Sequence, residues 1–105
     1  MEQARRRLIF ALDVADVGEA LRLVDLLREE VGTFKIGKQL FTAAGPDMVR
    51  ELTKRGDRVF LDLKFHDIPN TVAGAVQSAV GTGAWMVNVH ASGGSAMMQI
   101  GRAHV

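Results

Sequence analysis

The sequence predicts a parallel α/β protein built from repeated strand–helix units. Short apolar runs alternate with amphipathic stretches along all 105 residues. The predicted strands begin near residues 7, 33, 58 and 85, so successive units are 26, 25 and 27 residues long. Units of this length with apolar strands are typical of parallel sheets, in which a crossover helix joins neighbouring strands. Two architectures fit this repeat, a doubly wound sheet and a (β/α)8 barrel.

The first unit combines an apolar strand with an amphipathic helix. The run from Leu8 to Val14 has the aliphatic and aromatic side chains of a buried strand. Asp16 is then a candidate N-cap, and Glu19 stands three residues later as in a capping box. Gly32 is predicted to end this helix. One face of the helix carries apolar residues at spacings of four and three, namely Val17, Leu21, Val24, Leu27 and Val31.

Three further units follow the same plan. Helices are predicted to begin at Pro46 and Pro69, because proline is favoured at the first helical position. Glycines then end these helices, and Gly93, Gly94 and Ser95 lead towards a fourth helix. An eight-unit barrel needs roughly 200 residues or more, so this chain would supply about half of one. The remaining strands are predicted over residues 33–37, 58–64 and 85–90.

Composition is that of an ordinary globular protein. Hydrophobic residues make up 48% of the chain and charged residues 24%, which excludes disorder. The net charge of +1 gives no reason to expect nucleic acid or an anionic membrane as a partner. The absence of cysteine excludes disulfides and thiolate metal ligands. The apolar run at residues 8–12 is too short for a signal peptide, and no stretch approaches a membrane span, so we expect a cytoplasmic enzyme.

Charged side chains lie at or near the C-terminal ends of the predicted strands. They are Asp13, Lys35, Asp62, Lys64 and His90. In both candidate architectures this edge of the sheet carries the active site. Asp62 and Lys64 are two residues apart and therefore share one face of their strand. Charges in an apolar strand destabilise the fold unless they are paired, so the two are expected to form an ion pair.

This ion pair has two interpretations. It could serve only to fix the strand register. Alternatively, Lys35 reaches the same pocket from the neighbouring strand, and Asp67 follows three residues after Lys64. Two lysines and two aspartates are more than structure usually needs, and such a cluster suits the positioning of an ammonium group as a proton donor.

The segment from Asp62 to Thr71, Asp-Leu-Lys-Phe-His-Asp-Ile-Pro-Asn-Thr, resembles the signature of orotidine 5′-phosphate decarboxylases. Residues 10–13, 34–37 and 87–94 resemble the first, second and fourth strands of that family in the expected order. The resemblance covers about residues 7 to 98 and implies the N-terminal half of a (β/α)8 barrel. It also implies a decarboxylase of pyrimidine synthesis that converts orotidine 5′-phosphate to uridine 5′-phosphate and CO2 without metal or cofactor.

The resemblance implies a role for each matching residue. Lys64 would donate the proton to C6 of the pyrimidine, and Asp62 would lie against the departing carboxylate. Lys35 would hold these two side chains in place and contact the ribose. Asp13 would accept a hydrogen bond from a ribose hydroxyl.

The resemblance further implies a homodimer in which Asp67 and Thr71 reach the substrate in the partner's site, Asp67 as part of the catalytic set. The nearest rivals are magnesium-dependent hexulose-phosphate synthases and ketogulonate-phosphate decarboxylases, which share an Asp-x-Lys-x-x-Asp pattern on the third strand. Phe65 and His66, together with residues 68–71, favour the orotidine enzyme.

The end of the chain departs from the family pattern. Met97 and Met98 fit the family's fourth helix, whereas residues 100–105 are what the codons ATC GGA AGA GCA CAC GTC would encode, which resembles a sequencing adapter. We therefore expect residues 1–98 to form half of a decarboxylase barrel and residues 99–105 to be a non-native tail. The phosphate-binding loops after strands seven and eight are absent, so the polypeptide as written is expected to be inactive alone.

Overall fold

The computed structural model describes residues 2–100, and its centre is a four-stranded parallel sheet. The strands are β1 (Ile9–Ala11), β2 (Thr33–Gly37), β3 (Val59–Phe65) and β4 (Met86–Val89). They lie side by side in chain order, and each neighbouring pair is parallel. A doubly wound sheet reverses its strand order at a switch point, so this sequential order excludes it.

The helices connect consecutive strands. Right-handed crossovers between strands in sequential order place all connecting helices on the same face of the sheet. No helix within residues 2–100 is long and apolar enough to cross a membrane. The elements are α1 (Glu2–Arg6), α2 (Val17–Leu27), α3 (Lys38–Ala44), α4 (Pro46–Lys54), α5 (Pro69–Gly81), a 3-10 turn (Ala91–Gly93) and α6 (Ser95–Met98).

The core lies between the helices and the outward face of the sheet. Strand and helix side chains interlock there and are almost fully removed from solvent. Burial of these apolar surfaces is the main favourable contribution to folding. The main core members are Ala20, Val24, Phe34, Ile36, Leu40, Val49, Leu52, Val59 and Leu61.

The opposite face of the sheet is open in the described residues. Lys35 pairs in register with Phe60, and Gly37 with Asp62, so these positions share that face. Apolar residues on it remain accessible, since Ile9 is 50% exposed and Met86 is 36% exposed. In a closed barrel this face would be the interior, because the helices of such barrels form an outer ring around the strands.

The start of α2 follows the predicted cap only in part. Asp16 is extended and its Oδ2 accepts a hydrogen bond from the Glu19 N–H at 3.1 Å. The Glu19 carboxylate pairs with the Arg22 guanidinium at 2.7 and 3.1 Å. The predicted N-cap is therefore present, whereas the reciprocal half of the capping box is replaced by an ion pair along the helix.

The predicted end of α2 is wrong. The helix ends at Leu27, and residues 28–30 form a turn, so that Val31 contacts the core without being helical. Gly32 has a different function, because a Cβ at this position would lie only 2.6 Å from the Arg6 Cα. The glycine thus permits close contact between the residue before β2 and the end of α1.

The sequence did not predict α1 or α3. Lys38–Ala44 contains seven residues with Leu40 as its buried residue, which is too short a segment for a helical periodicity to be recognised. Gly45, with a φ of 73°, separates α3 from α4, and Pro46 begins α4 as predicted. The strand β2 matches its prediction, and the other strands differ at their ends by one to three residues.

Candidate active site at the carboxyl ends of the strands

Three predicted site residues form one charged cluster at the end of β3. The Lys64 ammonium donates to Asp62 Oδ1 with an Nζ–Oδ1 distance of 2.7 Å. The Lys35 Nζ, from the adjacent β2, lies 3.4 Å from Asp62 Oδ2. A single carboxylate therefore lies between two ammonium groups, as the spacing of these residues predicts.

Hydrogen bonds from neighbouring side chains keep this carboxylate ionised despite its burial. Asp62 is only 7% exposed. The hydrogen bond from Lys64 lowers the pKa of Asp62, and hydrogen bonds from the side chains of Asn88 and Lys35 add to the decrease, whereas burial opposes it. The carboxylate is therefore an anion at neutral pH. The Lys64 side chain is 52% exposed, so its ammonium group is accessible from the open face of the sheet.

The backbone at Lys64 adopts an unusual conformation. Its φ is 50°, and it is the one non-glycine residue with a positive φ among residues 2–100. The left-handed region costs a residue with a Cβ about 1–2 kcal/mol. Strained conformations of this kind cluster at functional sites, where they orient a side chain that a regular strand would point elsewhere.

Asn88 on β4 joins the cluster and was not identified from the sequence as a site residue. Its Nδ2 donates to Asp62 Oδ1 at 2.7 Å, and its Oδ1 accepts from the Lys64 backbone N–H at 2.9 Å. The available signal was a polar residue in an otherwise apolar strand, two positions before His90. Such a residue next to an ion pair is expected to provide hydrogen bonds to it.

Asp13 lies at the same edge of the sheet, just after β1. A Cβ placed on Gly37 would be 3.8 Å from Asp13 Oδ1 and 3.9 Å from the backbone oxygen of Asp62. The absence of a side chain at Gly37 therefore leaves space between Asp13 and the cluster. Asp13 is exposed and can reach a ligand at this edge.

Asp67 and Thr71 lie apart from this hydrogen-bond network. The Asp67 Oδ1 accepts from the backbone N–H of Ile68 at 2.7 Å instead of contacting the lysines. Thr71 is exposed in the first turn of α5, and Ile68 between the two is 65% exposed. These residues form an exposed segment that is apolar at its centre and polar at both ends.

Two histidines stack at the ends of β3 and β4. The ring centroids of His66 and His90 are 5.2 Å apart. The His90 Nδ1 accepts from the Ser92 N–H at 3.2 Å and lies 2.7 Å from its hydroxyl oxygen. Within the part of the chain that the structure describes, no group of three histidine, aspartate or glutamate side chains could hold a metal ion.

Comparison with known proteins identifies the family of this chain. The family model of the "Orotidine 5'-phosphate decarboxylase / HUMPS family" matches residues 6–103. The chain belongs to this family. This match confirms the family that the segment from Asp62 to Thr71 indicated.

Individual relatives of the chain are also named orotidine 5'-phosphate decarboxylase. The orotidine 5'-phosphate decarboxylase of Alkalilimnicola ehrlichii is 64% identical over 96 residues, which are 91% of this chain and 41% of that protein. The enzyme of the same name from Moorella thermoacetica is 55% identical over 102 residues, 97% of this chain and 40% of that one. The chain therefore spans about two fifths of the length of these relatives.

Solved structures support the fold. The crystal structure of orotidine 5'-phosphate decarboxylase from Pyrococcus horikoshii OT3 superposes with a TM-score of 0.85 at 28% identity, covering 90% of this chain and 46% of that one. The four strand–helix units thus correspond to the N-terminal half of a (β/α)8 barrel, as predicted. The expected non-native tail at 99–105 falls mainly on residues 101–105, which lie outside the described residues, and it stays a prediction.

Proposed function

We propose that this chain forms the proton-donating part of an orotidine 5′-phosphate decarboxylase, a lyase of pyrimidine synthesis. One observation carries the proposal: the Asp62 carboxylate lies between the ammonium groups of Lys35 and Lys64 at the catalytic edge of the barrel. The relatives of that name, up to 64% identical, support this substrate over the others of the superfamily. A cytoplasmic location is part of the proposal, since the reaction serves nucleotide synthesis.

The proposed reaction uses Lys64 as the group beside the reacting carbon. The bond from C6 to the carboxylate breaks, CO2 leaves, and the electron pair stays on C6. The Lys64 ammonium is already held in place by Asp62, so it stabilises the developing carbanion without reorganising. It then transfers a proton to C6, becomes a neutral amine and regains a proton from water. Asp62, kept anionic by its partners, lies against the leaving carboxylate.

We assign ribose binding to Asp13 and Lys35. Both lie at the same edge as the cluster, and each retains accessible polar atoms. The 5′-phosphate would be held by loops after strands seven and eight of the complete barrel. Phosphate binding energy positions the distant reacting centre, so the 105-residue polypeptide expressed by itself should be inactive. Its open apolar sheet face should also make it self-associate.

We also propose that Asp67 and Thr71 complete the site of a partner subunit in a homodimer. Their exposure and the exposed Ile68 between them support this assignment. Mixing two inactive variants of a full-length protein, Lys64→Ala and Asp67→Ala, would test it. Heterodimers would then contain one site with both defects and one intact site, so activity should return to about a quarter of the native value. If both residues served the site of their own subunit, mixing would restore nothing.

The whole proposal can be tested with a full-length chimaera in which residues 1–98 precede the C-terminal remainder of the Alkalilimnicola ehrlichii relative. We expect it to decarboxylate orotidine 5′-phosphate equally well with EDTA and with added Mg²⁺. The description of the family model also names HUMPS. The rival interpretation of the sequence, a magnesium-dependent hexulose-phosphate synthase, would lose its reaction on chelation. Activity on a hexulose phosphate that is lost with EDTA would contradict the proposal.

A further inference from the structure

The strand register makes the position of Asn88 distinctive. Leu61 pairs with Val87 and Phe65 pairs with Val89. Between these two pairs β3 contains three residues, whereas β4 contains only Asn88. The two extra residues of β3 form a bulge, and bulges of this kind re-aim side chains next to active sites.

The bulge removes Lys64 from the regular hydrogen-bond ladder. In a regular parallel pair its backbone N–H would bond to a carbonyl of the neighbouring strand. Here the N–H donates to the Asn88 side-chain Oδ1 at 2.9 Å, while the φ of Lys64 is 50°. The Asn88 side chain therefore replaces a backbone acceptor at the residue whose backbone is strained.

The other end of the same amide holds the carboxylate. Asn88 Nδ2 donates to Asp62 Oδ1 at 2.7 Å, the same oxygen that accepts from the Lys64 ammonium. The chemistry fixes the orientation of the amide. Reversing it would place an acceptor against a carboxylate and a donor against an N–H. The Asn88 side chain thus binds both members of the ion pair: the carboxylate of Asp62 and the backbone N–H of Lys64.

We propose that Asn88 is a positioning residue for the decarboxylation, which holds the bulged backbone of Lys64 and the carboxylate of Asp62 in one fixed arrangement. The inference rests on the proposed function and deepens it. Asparagine suits this position because it offers a donor and an acceptor without a charge. An aspartate would repel Asp62, and a leucine would remove both the acceptor for the Lys64 N–H and one of the hydrogen bonds to Asp62.

The test uses the full-length chimaera with Asn88→Ala and Asn88→Asp. The matched control is Gln77→Ala, which removes an exposed amide from α5. We expect Asn88→Ala to lower kcat about tenfold to a hundredfold, since it removes two hydrogen bonds, one of them to a charged group, while KM changes less than about threefold. The control should leave both constants unchanged. An unchanged kcat, or a raised KM alone, would overturn the proposal.

The pH profile provides a readout that a purely structural role would not change. Loss of the Asn88 donor raises the pKa of Asp62 towards its ordinary value, with Lys64 and Lys35 still facing the carboxylate. The acid limb of the kcat profile should therefore move to higher pH. Asn88→Asp is nearly isosteric and retains the acceptor for Lys64, and it should move the limb further because two carboxylates would then share a proton. A native profile for this variant would refute the inference even if Asn88→Ala failed to fold.

A crystal structure separates this inference from the proposed function. If the native chimaera does not act on orotidine 5′-phosphate, the proposed function fails, but the geometric claim is still tested by the structure of the Asn88→Ala variant. Lys64 should there leave the left-handed region and its Nζ should move away from Asp62 Oδ1. An unchanged Lys64 backbone would show that Asn88 does not position it.

Discussion

The left-handed backbone of Lys64 predicts an unusual difference between two inactive variants. Lys64→Ala and Lys64→Gly both remove the ammonium group from the cluster. Alanine retains the Cβ and must still adopt a φ of 50°, which costs about 1–2 kcal/mol. Glycine adopts this conformation freely, but it also increases the entropy of the unfolded chain. That entropy reduces the stability of the glycine variant by about 0.5–1 kcal/mol. We therefore expect Lys64→Gly to be more stable than Lys64→Ala by about 0.5–1 kcal/mol.

Urea denaturation of the two chimaeras, with thermal melting as a second measurement, gives this difference directly. A stability difference of about 1 kcal/mol shifts the melting temperature by about 2–4 °C for a barrel of this size. At a regular strand position the order would be reversed, because glycine in a strand interior is destabilising. An alanine variant as stable as the glycine variant would refute the left-handed conformation and, with it, the stored strain at this residue.

Three further predictions concern stability and pH. Asp57→Ala should destabilise the fold by about 2 kcal/mol, as measured by urea denaturation, without changing kcat. It removes the buried carboxylate that the Arg28 guanidinium contacts at 2.8 and 3.0 Å. Gly83→Ala should lower the melting temperature, because φ is 90° and the Cβ would lie 2.8 Å from a threonine hydroxyl of α4, whereas Gly81→Ala, with open space around it, should raise it slightly. The lowered pKa of Asp62 stabilises the folded state fully above pH 3.8, the ordinary pKa of an aspartate, and this stability is lost as the pH falls through the pKa of the folded state. In urea denaturation, the stability advantage of the native protein over Asp62→Asn should therefore shrink below about pH 4.

Local signals with a single physical cause were predictable from the sequence. Pro46 and Pro69 begin helices where expected, because a fixed φ and a missing N–H suit the first turn. The strand β2 agrees with its predicted bounds because both of its ends are marked, by Gly32 before it and by Gly37 at its end. The clustering of Lys35 with the β3 ion pair followed from parallel pairing of adjacent strands.

Features that depend on tertiary contacts were not predictable. The helix α2 ends at Leu27, yet Val31 still contacts the core, and its N–H donates to the Leu27 carbonyl at 3.2 Å. A periodic apolar pattern does not distinguish this turn from a continued helix. The β3 bulge has no signature of its own, because nothing in the segment Leu61–Phe65 marks a change of register. Asn88 was missed for the same reason, since its two hydrogen bonds exist only once the bulge brings Lys64 opposite to it.

The most direct test of the central claim is a comparison of the native chimaera with its Lys64→Ala variant. Decarboxylation of orotidine 5′-phosphate is measured as CO2 release, and binding of uridine 5′-phosphate is measured on the same samples. Loss of both electrostatic stabilisation and proton transfer should lower kcat by at least about 10⁴-fold, with product affinity little changed. A Lys64→Ala chimaera that retained a tenth or more of the native kcat would contradict the assignment of Lys64 as the proton donor.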